Sequence, residues 1–316
     1  MKIVILDRDS LGVDTPLEGL NNFGDVTVYD KSSPDEVKDR VSDAEVIIIN
    51  KIKITKEVID KAKKAKLICV FATGFDNIDV TYAKERGIAV CNVPAYSTDS
   101  VALFTVANVL ALFTNLREYN RYVVSGEYSA SCRANKLTPV YHEIAGKTWG
   151  IIGCGNIGKA VARIAEAMNA KVIVYKRNPL EGYDCRTLDE VCGESDIITI
   201  HCPLNADSLN LINQNNISLM KKNVIIVNEA RGAVVNDEDI VNAILEDKIG
   251  GFGSDVYTQE PFATDHPFTK IMHLPNVLLT PHAAWGAYES RVRCINIICD
   301  NISSFIRGEI LNRVDI

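Results

Sequence analysis

The chain has 316 residues, 47% hydrophobic and 24% charged, with a formal net charge of −7. That length exceeds a usual single core and fits two domains of ordinary size. The acidic balance argues against general nucleic-acid affinity, so an anionic substrate would be drawn in by local positive charge.

The first hundred residues alternate short β-rich runs with helical stretches. "KIVIL", "VTVY", "EVIII", "KLICVFA" and "IAVCNV" read as strands. "SPDEVKDRVSDA" opens with a Ser-Pro helix start, and "TKEVIDKAKKA" and "DVTYAKERG" share its helical spacing. Strands so continuously apolar predict a parallel sheet covered by helices on both faces. The opening "MKIVILDRDS" turns charged too soon for a secretory leader.

A long helix is expected from about Thr98 to Arg117. Its apolar part, "VALFTVANVLALF", is shorter than the ~20 residues a membrane span needs, and it carries Thr105 and Asn108. It therefore reads as a buried helix. The polar stretch from Glu118 to Lys147 shows no clear periodicity, and its length suggests an arm that grips a partner subunit or a surface excursion. A second alternating series begins at Lys147. Its strands are "TWGIIGC", "KVIVYK", "SDIITIHC", "NVIIVNEA", "GGFGSDVY" and "NVLLTPH", and the chain closes with an apolar helix around "SRVRCINIICDNISSFIRG". The nine cysteines form no C-x-x-C pair and no zinc-spaced cluster. No metal site is expected, and the thiols suit a reduced, cytoplasmic protein.

"GIIGCGNIG" places Gly153, Gly155 and Gly158 in G-x-G-x-x-G spacing between an apolar strand and an amphipathic helix. In that context the motif predicts a Rossmann turn, with a pyrophosphate on the free N–H groups of the helix. Gly153 permits the tight turn, Gly155 lets the backbone approach the phosphates, and Gly158 lets helix and strand pack closely. An acid normally follows at the end of the next strand, where it holds the adenosine ribose of NAD. Here "VIVYKRN" offers Lys176 and Arg177. A cationic pair suits a 2′-phosphate, so NADP(H) is favoured over NAD(H).

Ligands collect at the carboxyl ends of strands in open α/β sheets. "HCPL", "NEARG", "SDVYTQEP" and "TPHAAW" fall at such ends. They suggest an anion-binding Arg and a His–carboxylate acid/base pair. Spacing alone leaves His201 and His282 as alternatives.

Taken together with "ATGFDNIDV" and "NVPAYSTDSVA", this ordered set of motifs resembles the D-isomer-specific 2-hydroxyacid dehydrogenase family over nearly the whole chain. The resemblance implies an α/β architecture of two doubly wound parallel-sheet domains. Residues 98–285 would form a Rossmann NAD(P)-binding domain, inserted in a flavodoxin-like substrate domain of residues 1–97 and 286–316. It implies that Arg231 binds the substrate carboxylate and polarises its carbonyl. His282 would be the general acid in reduction and the base in oxidation, paired with Glu260. The backbone around Thr73 and Gly74 would grip the carboxylate. Asn156, Ile157, Cys202, Pro203, Glu229 and Ala230 would lie along the cofactor, and Asp255 would face the nicotinamide carboxamide. His201 would then be cofactor-side or structural.

Two departures stand out. Lys176 replaces the usual acid, and Glu229 stands where the family commonly has a small residue, either weakening the cofactor and Arg231 interactions or facing away. Within the family, "NVPAYSTDSVA" and Trp285 look most like glycerate dehydrogenases, also called hydroxypyruvate reductases. The expected reaction is NAD(P)H-dependent reduction of hydroxypyruvate or glyoxylate, small anionic 2-keto acids, to D-glycerate or glycolate. D-lactate or branched 2-keto acid chemistry is the enzymatic alternative. A corepressor-like protein that senses the cofactor is the alternative of another class. The family pattern implies a homodimer, with no nucleic-acid or membrane partner.

Overall fold

A computed structural model describes residues 1–316, which fold as two compact units: Met1–Ser97 with Gly286–Ile316, and Thr98–Trp285.

The first unit contains β1 (Lys2–Ile5), β2 (Asp25–Val28), α1 (Pro34–Arg40), β3 (Val46–Ile49), α2 (Lys56–Lys61), β4 (Leu67–Val70), α3 (Val80–Glu85) and β5 (Ala89–Cys91). All pairings are parallel, in the order β2-β1-β3-β4-β5. β3 and β4 are buried along their whole length, as strands covered on both faces must be. α1 starts where Ser33 and Glu36 close a reciprocal capping box and Pro34 opens the first turn. The chain returns to this unit in the helix Tyr288–Ile306, and its tail then seals the sheet edge. The Val90 N–H donates to Asp315 Oδ1 at 2.9 Å, and the Val314 N–H donates back to the Val90 carbonyl at 2.9 Å. β5 thus presents no free row of backbone groups.

The second unit begins with α4 (Thr98–Phe113), α5 (Leu116–Val124) and α6 (Glu127–Ala130). It continues with β6 (Thr148–Ile152), α7 (Asn156–Ala167), β7 (Lys171–Tyr175), α8 (Leu188–Glu194) and β8 (Ile197–Ile200). α9 (Gln214–Ile217), β9 (Ile225–Asn228), α10 (Asp237–Leu245), β10 (Gly251–Ser254) and β11 (Val277–Leu279) complete it. The six parallel strands run β11-β10-β9-β8-β6-β7. The chain steps from β6 outward to β7 and then back to β8 on the other side, so strand order reverses at the carboxyl end of β6. Trp149 is wholly buried in this sheet, and its indole N–H donates to Thr199 Oγ1 at 3.1 Å.

The expected helix through Arg117 is interrupted. α4 ends at Phe113, and Asn115 takes a left-handed φ of 52°, which asparagine tolerates better than most residues. α5 and α6 then occupy a stretch whose sequence shows no clear period. α5 buries none of its residues, so its apolar side chains had no core to betray them. No single helix is long and apolar enough to cross a membrane.

Candidate active site

The glycine-rich turn sits between β6 and α7 at the reversal point of the sheet. Gly153 has φ +91°, and a Cβ there would lie 2.5 Å from the Cys202 amide nitrogen, so this turn accepts only glycine. A Cβ on Gly158 would fall 2.4 Å from the Gly153 carbonyl oxygen, which explains the close packing of α7 on the turn. Gly155 differs: its Cβ would meet nothing within 4 Å. As the N-cap of α7, Gly155 offers no side chain to the helix's first N–H groups. Open space before uncapped amides fits a diphosphate.

Lys176 and Arg177 follow β7 and are exposed. Arg177 forms an ion pair with Asp207, both side chains remaining largely in solvent. No acid follows β7 in its first three positions.

Three strand ends of this unit carry the chemistry. After β9, the Asn228 side chain braces the turn: its amide donates to the Arg231 carbonyl at 2.9 Å, and its oxygen accepts from the Ala230 N–H at 3.1 Å. Gly232 follows because a Cβ there would lie 2.0 Å from the Tyr257 carbonyl carbon. The half-buried Arg231 is thereby fixed at the turn. Its Nη1 donates to the Ala230 carbonyl at 2.8 Å, and its other guanidinium donors stay available.

Beyond β10, Glu260 Oε1 accepts from the Tyr257 N–H at 3.1 Å, while Oε2 lies 2.6 Å from His282 Nδ1. These side chains are 29% and 27% exposed, accessible to a small ligand yet held by one another. His282 sits past β11 with a left-handed φ of 52°.

Asp255 connects these loops. It is 1% exposed; Oδ1 accepts from the Thr280 hydroxyl at 2.6 Å and the Ala283 N–H at 2.8 Å, and Oδ2 from the Ala284 N–H at 2.8 Å. Three of its acceptor positions therefore serve the chain itself. Tyr257 adds a second tie, donating its hydroxyl to the Thr280 carbonyl at 2.8 Å. Below them, Asp237 Oδ2 accepts from Thr258 Oγ1 at 3.0 Å and lies 3.3 Å from His266 Nε2. His266 Nδ1 accepts from the Phe268 N–H at 3.2 Å, so Nε2 carries the proton toward Asp237. Sequence reasoning missed the Tyr257–Thr280, Thr258–Asp237 and His266–Asp237 supports, because each joins residues separated by 20 or more positions.

Glu229 is buried and turned toward α4, where Asn108 Nδ2 donates to its Oε1 at 2.7 Å. Burial first, and then the neighbouring Asp255 charge, pushes its carboxyl up to about 9. The extra acid therefore brings a proton and no negative charge at neutral pH. Asn108, a polar residue in an apolar helix, was the sequence signal for this partner. His201 is shielded at both ring nitrogens, and burial pushes its pKa down to about 3. It is a buried, neutral ring, whereas the His282 side chain is partly open to solvent. Cys202 is half-buried against the glycine turn and Pro203 is exposed. Asn156 and Ile157 begin α7. Thr73 and Gly74 belong to the other unit, past β4, where Thr73 Oγ1 donates to the Val93 carbonyl at 2.8 Å.

Residues 106–284 match the family described as D-isomer specific 2-hydroxyacid dehydrogenase, NAD binding domain. The chain is 37% identical to a hydroxypyruvate reductase of Blautia hydrogenotrophica, covering 100% of both chains. It is 34% identical to a glycerate dehydrogenase of Methylorubrum extorquens, covering 99% of each. Among solved structures it is similar to an acyclic imino acid reductase in complex with NADPH and D-Arg, with a TM-score of 0.88, 30% identity, and coverage of 99% of this chain and 100% of that one.

Proposed function

This chain belongs to the D-isomer specific 2-hydroxyacid dehydrogenase family, a family of nicotinamide-dependent oxidoreductases, and from that premise we propose that it reduces hydroxypyruvate to D-glycerate, with glyoxylate as a lesser substrate. The relative named hydroxypyruvate reductase, similar over its full length, supports this substrate class. The observation that carries the chemistry is the 2.6 Å contact between Glu260 and His282 in the same unit as the braced Arg231.

A nicotinamide cofactor, when bound, would supply or accept the hydride. Arg231 binds the substrate carboxylate through its available donors and polarises the carbonyl. Glu260 accepts the Nδ1–H of His282, leaving Nε2 to deliver a proton to the carbonyl oxygen in reduction and to remove it in oxidation. A cation and a proton donor fixed beforehand at the developing alkoxide lower the barrier without reorganisation.

NADP(H) is the proposed preference. The absence of an acid after β7 and the exposed Lys176 support it, and Arg177 would exchange Asp207 for the 2′-phosphate. The exposed pair it gives up is worth little. A second copy of the chain is the proposed partner of the arm. Leu116, Val123, Val124, Leu137 and Val140 are all more than half exposed there, on a scaffold held by Tyr119–Tyr141 ring contact and by Lys136 over Tyr122. Such a patch is covered in most soluble proteins. The proposed compartment is the cytoplasm.

Steady-state kinetics with hydroxypyruvate, comparing NADPH with NADH, tests the proposal. A kcat/KM ratio well above one for NADPH supports both substrate and clamp. A clear NADH preference would overturn the clamp alone. Turnover only with D-lactate-type or branched 2-keto acids would overturn the substrate, and none at all would favour a cofactor-sensing protein.

A further inference from the structure

The parallel hydrogen-bond ladder of the second unit continues one step past its strands. The His201 N–H donates to the Ile152 carbonyl at 2.7 Å, the Asp255 N–H to Asn228 at 3.2 Å and the Thr280 N–H to Ser254 at 3.0 Å, with Glu229 to Ile200 at 3.4 Å. His201, Glu229, Asp255 and Thr280 are the first residues after β8, β9, β10 and β11. Strand alternation therefore puts their side chains in one row, on the face covered by α4. That face is fixed by Glu229, which meets Asn108 of α4.

Half of this row is satisfied and half is not. Asp255 and Thr280 bond each other and the backbone. Glu229 Oε2 and both nitrogens of His201 are buried without any hydrogen-bond partner. Buried polar atoms left unpaired are costly, so native structures rarely keep them without a reason. Their position supplies one. The glycine turn that would hold a diphosphate follows β6, and Lys176 and Arg177, which would hold the adenosine side, follow β7. The other half of a dinucleotide held there would extend the other way, over β8, β9 and β10, along this row.

We propose that His201 and Glu229 receive the nicotinamide end of the cofactor, and that Glu229 sets how strongly the site distinguishes the oxidised from the reduced ring. This rests on the dehydrogenase reading above. A carboxamide presents one acceptor and two donors. A neutral imidazole and a protonated carboxyl each present one donor and one acceptor, which match it. The oxidised ring is cationic and the reduced ring is neutral. While Glu229 keeps its proton, Asp255 is the only anion in the row. Once it ionises, a second negative charge lies beside the ring and favours the oxidised form. The groups facing Glu229 are Asn108 from α4, which does not titrate, Asp255 and Tyr257 from the end of β10, and His201 from the end of β8. Tyr257 is pushed up by burial and His201 is held near 3, so neither titrates near the same pH.

The test is equilibrium binding of NADPH and NADP⁺ between about pH 6.5 and 10, followed by cofactor fluorescence and competition. In the wild type, the ratio of oxidised to reduced dissociation constants should fall about tenfold as pH rises through 9, as one added charge near the ring requires. Glu229→Gln should bind both forms with a ratio that stays flat, and His201→Ala should weaken both forms together. A flat ratio in the wild type, or an equal fall in Glu229→Gln, overturns the proposal while leaving the dehydrogenase intact. Binding of neither nucleotide by the wild type would overturn both.

Discussion

Replacing Asp255 by Asn separates a loop-holding role from a cofactor-facing one. Asp255 accepts three hydrogen bonds, at 2.6, 2.8 and 2.8 Å, in a site 1% exposed. Asparagine keeps one acceptor oxygen and sets an NH₂ against the remaining backbone amide. At least one bond to a charged acceptor is lost, worth about 1.5–3 kcal/mol, and a buried N–H is left unsatisfied at about 1–3 kcal/mol more. The loop that carries His282 should therefore be destabilised by about 3–5 kcal/mol. Hydrogen exchange at the Ala283 and Ala284 amides, which report that loop directly, should speed up by the corresponding factor. Turnover should fall because His282 loses its fixed approach to Glu260, while the Kd for NADPH changes less. The reasoning fails if those amides stay protected and the NADPH affinity drops instead. That result would return Asp255 to the carboxamide.

The other predictions address the turn, the dyad and the buried acid. Gly155→Ala should fold with wild-type stability, since its Cβ meets nothing within 4 Å, yet bind nucleotide at least about tenfold more weakly because the methyl occupies the approach of the phosphates. Gly158→Ala should instead lose about 1–3 kcal/mol of stability, because its Cβ would press on the Gly153 carbonyl; urea unfolding of both variants distinguishes the two roles. Glu260→Gln keeps an oxygen for the Tyr257 N–H but removes the anion beside His282, so keto-acid reduction should fall on the order of 10²-fold, with its high-pH limit moved downward. An unmoved pH profile would defeat that assignment. Glu229 has its carboxyl raised from 4.5 to about 9 in the folded protein. Between those values the folded state holds a proton that the unfolded state has released, so stability is present at low pH and lost as pH rises, by about 1.4 kcal/mol per pH unit. Glu229→Gln lacks this loss, and its advantage over the wild type should grow by about 2–3 kcal/mol from pH 5.5 to 7.5 in paired unfolding experiments. Parallel stability curves would contradict a protonated Glu229.

What could be read from the residues follows the range of the interactions involved. The glycine turn is a compact device: Gly153 and Gly158 each answer a steric constraint a few ångströms away, and Gly155 leaves open space before the helix, so their spacing sufficed. The helix starts at Ser33 and Thr187 are equally local, because each capping box closes over three residues. β3, β4, β8 and β9 were visible because burial on both faces leaves no polar alternation. Arg231, Glu260 and His282 are proposed as a set through the family's motifs, whereas spacing alone leaves His201 and His282 undecided. Their environments differ: His201 has unpartnered, shielded nitrogens, and His282 faces a carboxylate. The break at Asn115 lay outside local reach, since α5 packs no face into a core. So did the partners of Asp255, Arg177 and His266, which lie 25 to 30 residues away along the chain.

The left-handed backbone at His282 bears on how this chain tolerates change. A φ of 52° suits glycine or asparagine and costs most other residues about 1 kcal/mol or more. Selection for abundance alone would therefore pull this position away from histidine, toward residues that relax the loop and lack the proton transfer proposed for His282. A library sorted by expression or heat resistance would enrich such forms, and a consensus-style stabilisation scheme would have to exempt this residue.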